Sequence, residues 1–270
     1  MAKLNLDYYT AKDHYSDGDI ENTLLEMARE GKSFQDLPEE EVSFPMVYHF
    51  SDLRENILNW YPLKKTDSVL EIGAGCGAIT GMLCQKAGKV TSVELSRRRA
   101  EINFARNSEK ENLTIMVGNL NDMTFPENFD YVVVNGVLEY AMSFTEGKTP
   151  YETFLKEMGG YLKPEGKLLI AIENRLGLKY FAGAPEDHTD IHFFGIDGYP
   201  ENHSVRTFSK EELGELLKNS GFPFLHFYYP YPDYKFPTEI FTDESLYTNS
   251  YGRNYPVYTD KTAALFSESE

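Results

Sequence analysis

Apolar residues in this 270-residue chain follow two different spacings. Short runs rich in β-branched and apolar residues, at 68–72, 90–94, 113–117, 130–135 and 167–173, read as strands, with Val69, Leu70 and Ile72 placed in one buried on both faces. Helix-length stretches separate most of them, and that alternation predicts a parallel sheet with right-handed crossovers. Upstream, Ile20, Leu24 and Met27 repeat at helical spacing, as do Leu53, Ile57 and Trp60, so residues 1–67 read as a helical cap. Downstream, Ser209 and Glu212 form a capping box for a helix that Gly221 should end. Residues 224–229 read as a sixth strand, and the prolines of 230–237 predict an ordered loop or lid rather than a regular element.

The most informative stretch is 69–77, where Val69, Leu70 and Ile72 lead into Gly73-Ala74-Gly75-Cys76-Gly77. Glycines at alternate positions let the backbone turn tightly and approach a nucleotide without Cβ atoms in the way, and a helix should follow from about Ala78. The same run fits a dinucleotide-binding fingerprint. Glu71, two residues before Gly73, argues against that: a carboxylate there repels a pyrophosphate but suits a ligand with an amino group and a sulfonium. Glu94, with Leu95 after it, closes the next strand 21 residues beyond Gly73, a spacing that brings an acid to the adjacent strand tip to accept hydrogen bonds from ribose hydroxyls.

With Glu71-x-Gly73-x-Gly75-x-Gly77 and Glu94 in place, the chain resembles the class I S-adenosylmethionine-dependent methyltransferases over about residues 45–230. The resemblance implies an α/β, doubly wound, mostly parallel Rossmann-like sheet over 68–235, preceded by the cap at 1–67 and followed by an aromatic-rich extension at 236–270. It implies S-adenosyl-L-methionine as cofactor and S-adenosyl-L-homocysteine as product. Asn119 and Leu120 stand where the family contacts adenine, although an aspartate is usual at the first position. Asn135 and Gly136 stand where it flanks the methionine moiety, and 162–166 resembles its turn before the fifth strand. The family usually ends on an antiparallel seventh strand, for which only 262–266 remains, so a fragment of a longer polypeptide is expected. The stretches 172–188 and 229–237 are similar to bacterial methyltransferases linked to cell-surface polysaccharide synthesis, some of them fused to glycosyltransferase modules. That likeness implies a glycan or glycolipid acceptor.

The net charge of −17 argues against a nucleic-acid substrate, since phosphate contacts need lysine or arginine. Arg97-Arg98-Arg99 reads as a solvated turn at a helix start. No run of about 18 apolar residues appears and the N-terminus lacks the apolar core of a signal peptide, so a cytoplasmic protein without membrane insertion is expected. Cys76 and Cys84 fit neither a metal spacing nor a disulfide framework; Cys76 is expected to pack against the cofactor. The 19 tyrosines can line a groove for sugar faces or pack loops onto the sheet.

Methyl transfer from a sulfonium is an in-line displacement that requires no metal, but a hydroxyl acceptor benefits from a base. His188 is the first candidate, with His192, Glu139 and Glu173 as alternatives; His203 is weaker. Arg54 can close over the methionine carboxylate or pair with Asp52 or Glu55. The competing readings are a small-molecule N- or O-methyltransferase, an NAD-dependent oxidoreductase and a cofactor-binding module without turnover.

Overall fold

A computed structural model of the chain describes residues 1–11, 16–200 and 205–245. It forms two compact units. Residues 1–135 and 161–169 make the first, and residues 136–160 together with those from 170 onward make the second.

The first unit begins with β1 (Lys3–Tyr8), α1 (Ile20–Glu30), α2 (Phe44–Phe50) and the single turn α3 (Asn56–Asn59). The alternation β2 (Ser68–Ile72), α4 (Thr80–Lys86), β3 (Lys89–Glu94), α5 (Arg97–Asn107), β4 (Leu113–Gly118), β5 (Phe129–Asn135) follows, and β6 (Leu162–Ala171) completes a six-stranded sheet. Its order, β1-β4-β3-β2-β5-β6, shows the doubly wound pattern: the chain steps outward from β2 through β3 to β4, then returns to the other side for β5 and β6. The reversal lies between β2 and β5, the kind of switch point beside which such sheets bind ligands. Pairings among β1 to β5 are parallel. Every residue of β2 is buried, Glu71 included, as in a strand covered on both faces.

Several expectations are corrected. The N-terminal segment is not only helical, because Lys3–Tyr8 adds an edge strand against β4. Leu4 and Leu6 alternate with polar residues there, too short a signal to stand out. Residues 52–60 form a 3-10 turn followed by one helical turn, with Ile57 buried while Leu53 and Trp60 stay exposed. The fifth predicted strand begins at Leu162, so 162–166 is strand rather than turn. The first helix after the glycines starts at Thr80.

Arg99 is not solvated. It is buried and pairs with Glu21 at 2.9 Å and Asp17 at 2.7 Å, joining α1 to the first turn of α5, and His49 reaches Asp17 at 2.9 Å. Such a network is costly to break from one side, about 3–5 kcal/mol, because a buried charge is left alone.

The second unit contains α6 (Ala141–Phe144), α7 (Pro150–Gly160), α8 (Leu178–Phe181), α9 (Lys210–Asn219) and an antiparallel pair, β7 (Tyr228–Tyr231) with β8 (Glu239–Thr242). Ser209 and Glu212 cap α9 reciprocally as the spacing predicts. The sixth strand is displaced to 228–231, and Pro230 lies inside it, which an edge of a two-stranded ribbon tolerates. His203 and residues 262–266 lie outside the described residues. Among the described residues no helix is long and apolar enough to cross a membrane.

Candidate cofactor and catalytic sites

In the first unit the chain leaves β2 through Gly73, Gly75 and Gly77, all at positive φ (68°, 54° and 77°). The Gly73 and Ala74 N–H groups both donate to the Val93 carbonyl at 2.9 and 3.0 Å, tying the loop to β3. Glu94, at the end of β3, then clamps it: Oε2 accepts from Gly75 N–H at 2.7 Å and Oε1 from Ser96 N–H at 2.8 Å. Burial raises the Glu94 carboxyl above its ordinary range, opposed by those N–H donors and by the Arg99 charge. The glycines differ in what surrounds them. A Cβ on Gly75 would meet nothing within 4 Å, whereas one on Gly77 would lie 2.3 Å from Asn103 Oδ1. Gly77 therefore serves packing against α5, and Gly75 borders open space.

Glu71 is buried differently from the expectation. Its Oε2 accepts from Thr80 Oγ1 at 2.7 Å and from Ser92 Oγ at 2.6 Å, and the register of β2 with β3 sets Glu71 beside Ser92. Burial pushes its carboxyl up to about 7. The residue is thus an internal brace between β2, β3 and α4, not a bare charge for a sulfonium. Because its folded pKa lies above the unfolded value of 4.5, the folded state holds the extra proton between the two, so stability falls as pH rises through this window. The loss amounts to about 3 kcal/mol by pH 8. Glu71→Gln, whose amide oxygen can accept both hydrogen bonds, should abolish most of that decline between pH 5 and 8, measured by urea unfolding.

Cys76 is buried in one cluster with Leu24, Met27, Met46 and Ile102, and burial pushes its thiol far up. Arg54 is buried under α2, with its guanidinium 4.3 Å from the Tyr48 ring centre, so surface pairing does not describe it. Asn119 is exposed and caps the following turn by accepting from Asn121 N–H at 3.1 Å; Leu120 and Leu95 are half-buried. Asn135 ends β5 with a buried Oδ1 that no donor reaches.

The second unit gathers three of the four sequence-proposed catalytic residues. Glu139 lies four residues after β5, Glu173 two residues after β6, and His188 in the following connection. Their ligating atoms lie within 4.8 Å of one another. His188 Nε2 is 3.8 Å from Glu139 Oε1 and 4.0 Å from Glu173 Oε2, while Nδ1 is 2.9 Å from Glu186 Oε1. Glu186 is itself held by the N–H groups of His188 and Thr189, each at 2.9 Å, and by Tyr199 Oη at 3.1 Å. Gly136, at φ +68°, admits the Tyr234 hydroxyl, which would lie 2.9 Å from a Cβ. His192 stands apart, exposed, with Nδ1 on the Gly183 carbonyl at 2.9 Å.

Burial alone would lower the His188 pKa, but Glu139, Glu186 and Glu173 outweigh it and raise it to about 10. The surrounding carboxylates favour the protonated form of the imidazole. Burial raises Glu139, a carboxylate made more basic. Sequence reasoning missed the supporting groups. Lys235 bonds Glu173 Oε1 at 2.8 Å and Asp187 at 2.9 Å, and Lys179 bonds Asp187 at 2.7 Å and Asp233 at 3.0 Å. The signal was present in Glu186-Asp187 beside His188 and in Asp233-Tyr234-Lys235 amid the prolines.

Residues 70–170 match the family described as Methyltransferase domain. The chain is 26% identical over 156 residues to the malonyl-[acyl-carrier protein] O-methyltransferase of Priestia megaterium, covering 57% of this chain and 46% of that protein. It is 42% identical over 81 residues to a "Probable ribosomal RNA small subunit methyltransferase A" of Methanosarcina mazei, covering 30% of this chain and 29% of that one. The chain thus spans less than half the length of each of these two relatives. Among solved structures, phosphoethanolamine N-methyltransferase 1 of Haemonchus contortus shares 17% identity at a TM-score of 0.46, over 73% of this chain and 39% of that one. The strand order and the glycine loop agree with the family match, so residues 70–170 resemble a methyltransferase domain.

Proposed function

We propose that this protein transfers the methyl group of S-adenosylmethionine to a hydroxyl of a glycan or glycolipid precursor. In this reading the backbone of 73–77 and Glu94 hold the adenosyl group. Glu94 takes the ribose hydroxyls, the open space beside Gly75 receives the nucleoside, and Asn119, Leu120, Asn135 and Arg54 flank the adenine and methionine ends. The fit rests on that open space beside a positive-φ glycine and on a buried acid that already orients the loop.

The observation that carries the choice of a hydroxyl is the buried group of Glu139, Glu173 and His188. A hydroxyl needs its proton removed as the carbon–oxygen bond forms, and Glu139, raised by burial, is the residue suited to take it. An amine acceptor already has a free lone pair at its nitrogen once neutral and gains less from such a group. The RNA acceptors of the ribosomal relatives are disfavoured here by the net charge of −17. A glycosyltransferase partner or fused module belongs to the same proposal.

Release of S-adenosylhomocysteine across a panel of sugar nucleotides, oligosaccharides, fatty-acyl carriers and amines tests the reading. Turnover confined to sugar acceptors is expected, and turnover confined to carboxylates or amines would refute it. With a working acceptor, Glu139→Gln should lower kcat about 100-fold at unchanged S-adenosylhomocysteine affinity.

A further inference from the structure

We propose that Glu139, Glu173 and His188 form a divalent-cation site. The two gaps to His188 Nε2, 3.8 and 4.0 Å, are too wide for hydrogen bonds. They match the separation of two ligands on one ion, roughly 3 to 4.2 Å when each bond is about 2.1 Å. Two carboxylate oxygens of the group, Glu139 Oε2 and Glu173 Oε2, are buried and accept no hydrogen bond, and the second of these faces the imidazole. Both side chains are more than nine-tenths buried, so leaving such acceptors unpaired is costly unless something positive lies between them.

The imidazole is also aimed as a metal ligand is. Its Nδ1 is fixed on Glu186, which leaves Nε2 directed at the carboxylates, and Glu186 is fixed in turn by two backbone N–H groups and the Tyr199 hydroxyl. Carboxylate–histidine–metal relays have this form. Charge points the same way. Among the described residues Glu139, Glu173, Glu186, Asp187 and Asp233 set five carboxylates against two lysines, Lys179 and Lys235, and Lys235 engages Glu173 through Oε1 rather than the Oε2 nearest the imidazole. A divalent ion among them would offset this imbalance.

The donor set of two carboxylates and one imidazole suits a borderline-hard ion such as Mn²⁺, with Mg²⁺ as a weaker competitor. Open positions on the ion would take the oxygen of an acceptor hydroxyl, lowering its pKa and fixing its direction, and Glu139, holding the ion through one oxygen, would keep the other for the proton; this use, though not the ion site, rests on the function proposed above.

The test is a Mn²⁺ titration of the chelator-treated full-length chain, followed by the electron paramagnetic resonance signal of the free ion. About one bound Mn²⁺ per chain is expected, with affinity at least about 10-fold weaker in Glu173→Gln and His188→Ala and weakened also in Glu186→Gln. S-adenosylhomocysteine affinity, measured by calorimetry on the same proteins, should not change and reports that the first unit is intact. A free-ion signal that persists in excess wild-type protein overturns the site whether or not the variants fold, as does bound Mn²⁺ that Glu173→Gln does not weaken. Mn²⁺ binding without S-adenosylhomocysteine binding would leave the ion site standing and remove the cofactor assignment.

Discussion

Glu94→Ala is expected to weaken S-adenosylhomocysteine binding about 100-fold. Two ribose hydroxyls donating to a charged acceptor contribute about 1.5 kcal/mol each, and their joint loss of about 3 kcal/mol corresponds to that factor. The same carboxylate holds Gly75 N–H at 2.7 Å and Ser96 N–H at 2.8 Å, so the substitution also loosens the loop and lowers the unfolding midpoint modestly. Calorimetry on the purified variant measures the first effect and a thermal melt the second. An affinity within threefold of wild type would show that Glu94 braces the loop without touching the ligand.

The second large effect separates two glycines that the sequence presents as equivalents. Gly77→Ala places a Cβ 2.3 Å from Asn103 Oδ1, at a backbone φ of 77°, and Asn103 is held in turn by its bond to Thr80 Oγ1 at 3.1 Å. About 3 kcal/mol of stability should be lost, from left-handed strain and overpacking together. Gly75→Ala meets nothing within 4 Å, so its stability cost should stay near the strain alone, about 1–2 kcal/mol. Its added methyl fills the space assigned to the nucleoside, and S-adenosylhomocysteine affinity should fall by at least about 100-fold. Denaturant unfolding and calorimetry on both variants decide the matter, and equal stability losses would contradict the division of roles.

The parallel sheet was legible because short strands rich in valine, isoleucine and leucine alternate with helix-length stretches, and β2 in particular is buried at every position. Glu94 was legible from spacing alone, since one βα unit returns the chain to the neighbouring strand tip. Glu71 shows where spacing stops informing: its place in the motif is visible, but its bonds to Thr80 and Ser92 depend on a strand register and a helix start that no local pattern encodes. β1 was missed because an edge strand with only two alternating leucines draws its stability from β4, far along the chain. Arg99 misled for a similar reason, because its partners Asp17 and Glu21 are some 80 residues distant. In the second unit Glu139, Glu173 and His188 could each be picked out as chemistry-bearing residues, but their convergence requires three separate connections to fold together, and the raised pKa of His188 follows only from that convergence.

The central claim is that the bend at 73–77 together with Glu94 takes the adenosyl group of S-adenosylmethionine. Calorimetric titration of the wild-type chain with S-adenosylhomocysteine and, separately, with NADH tests it most directly. One equivalent of S-adenosylhomocysteine should bind in the micromolar range with no heat from NADH; binding of NADH with none of S-adenosylhomocysteine would contradict the account.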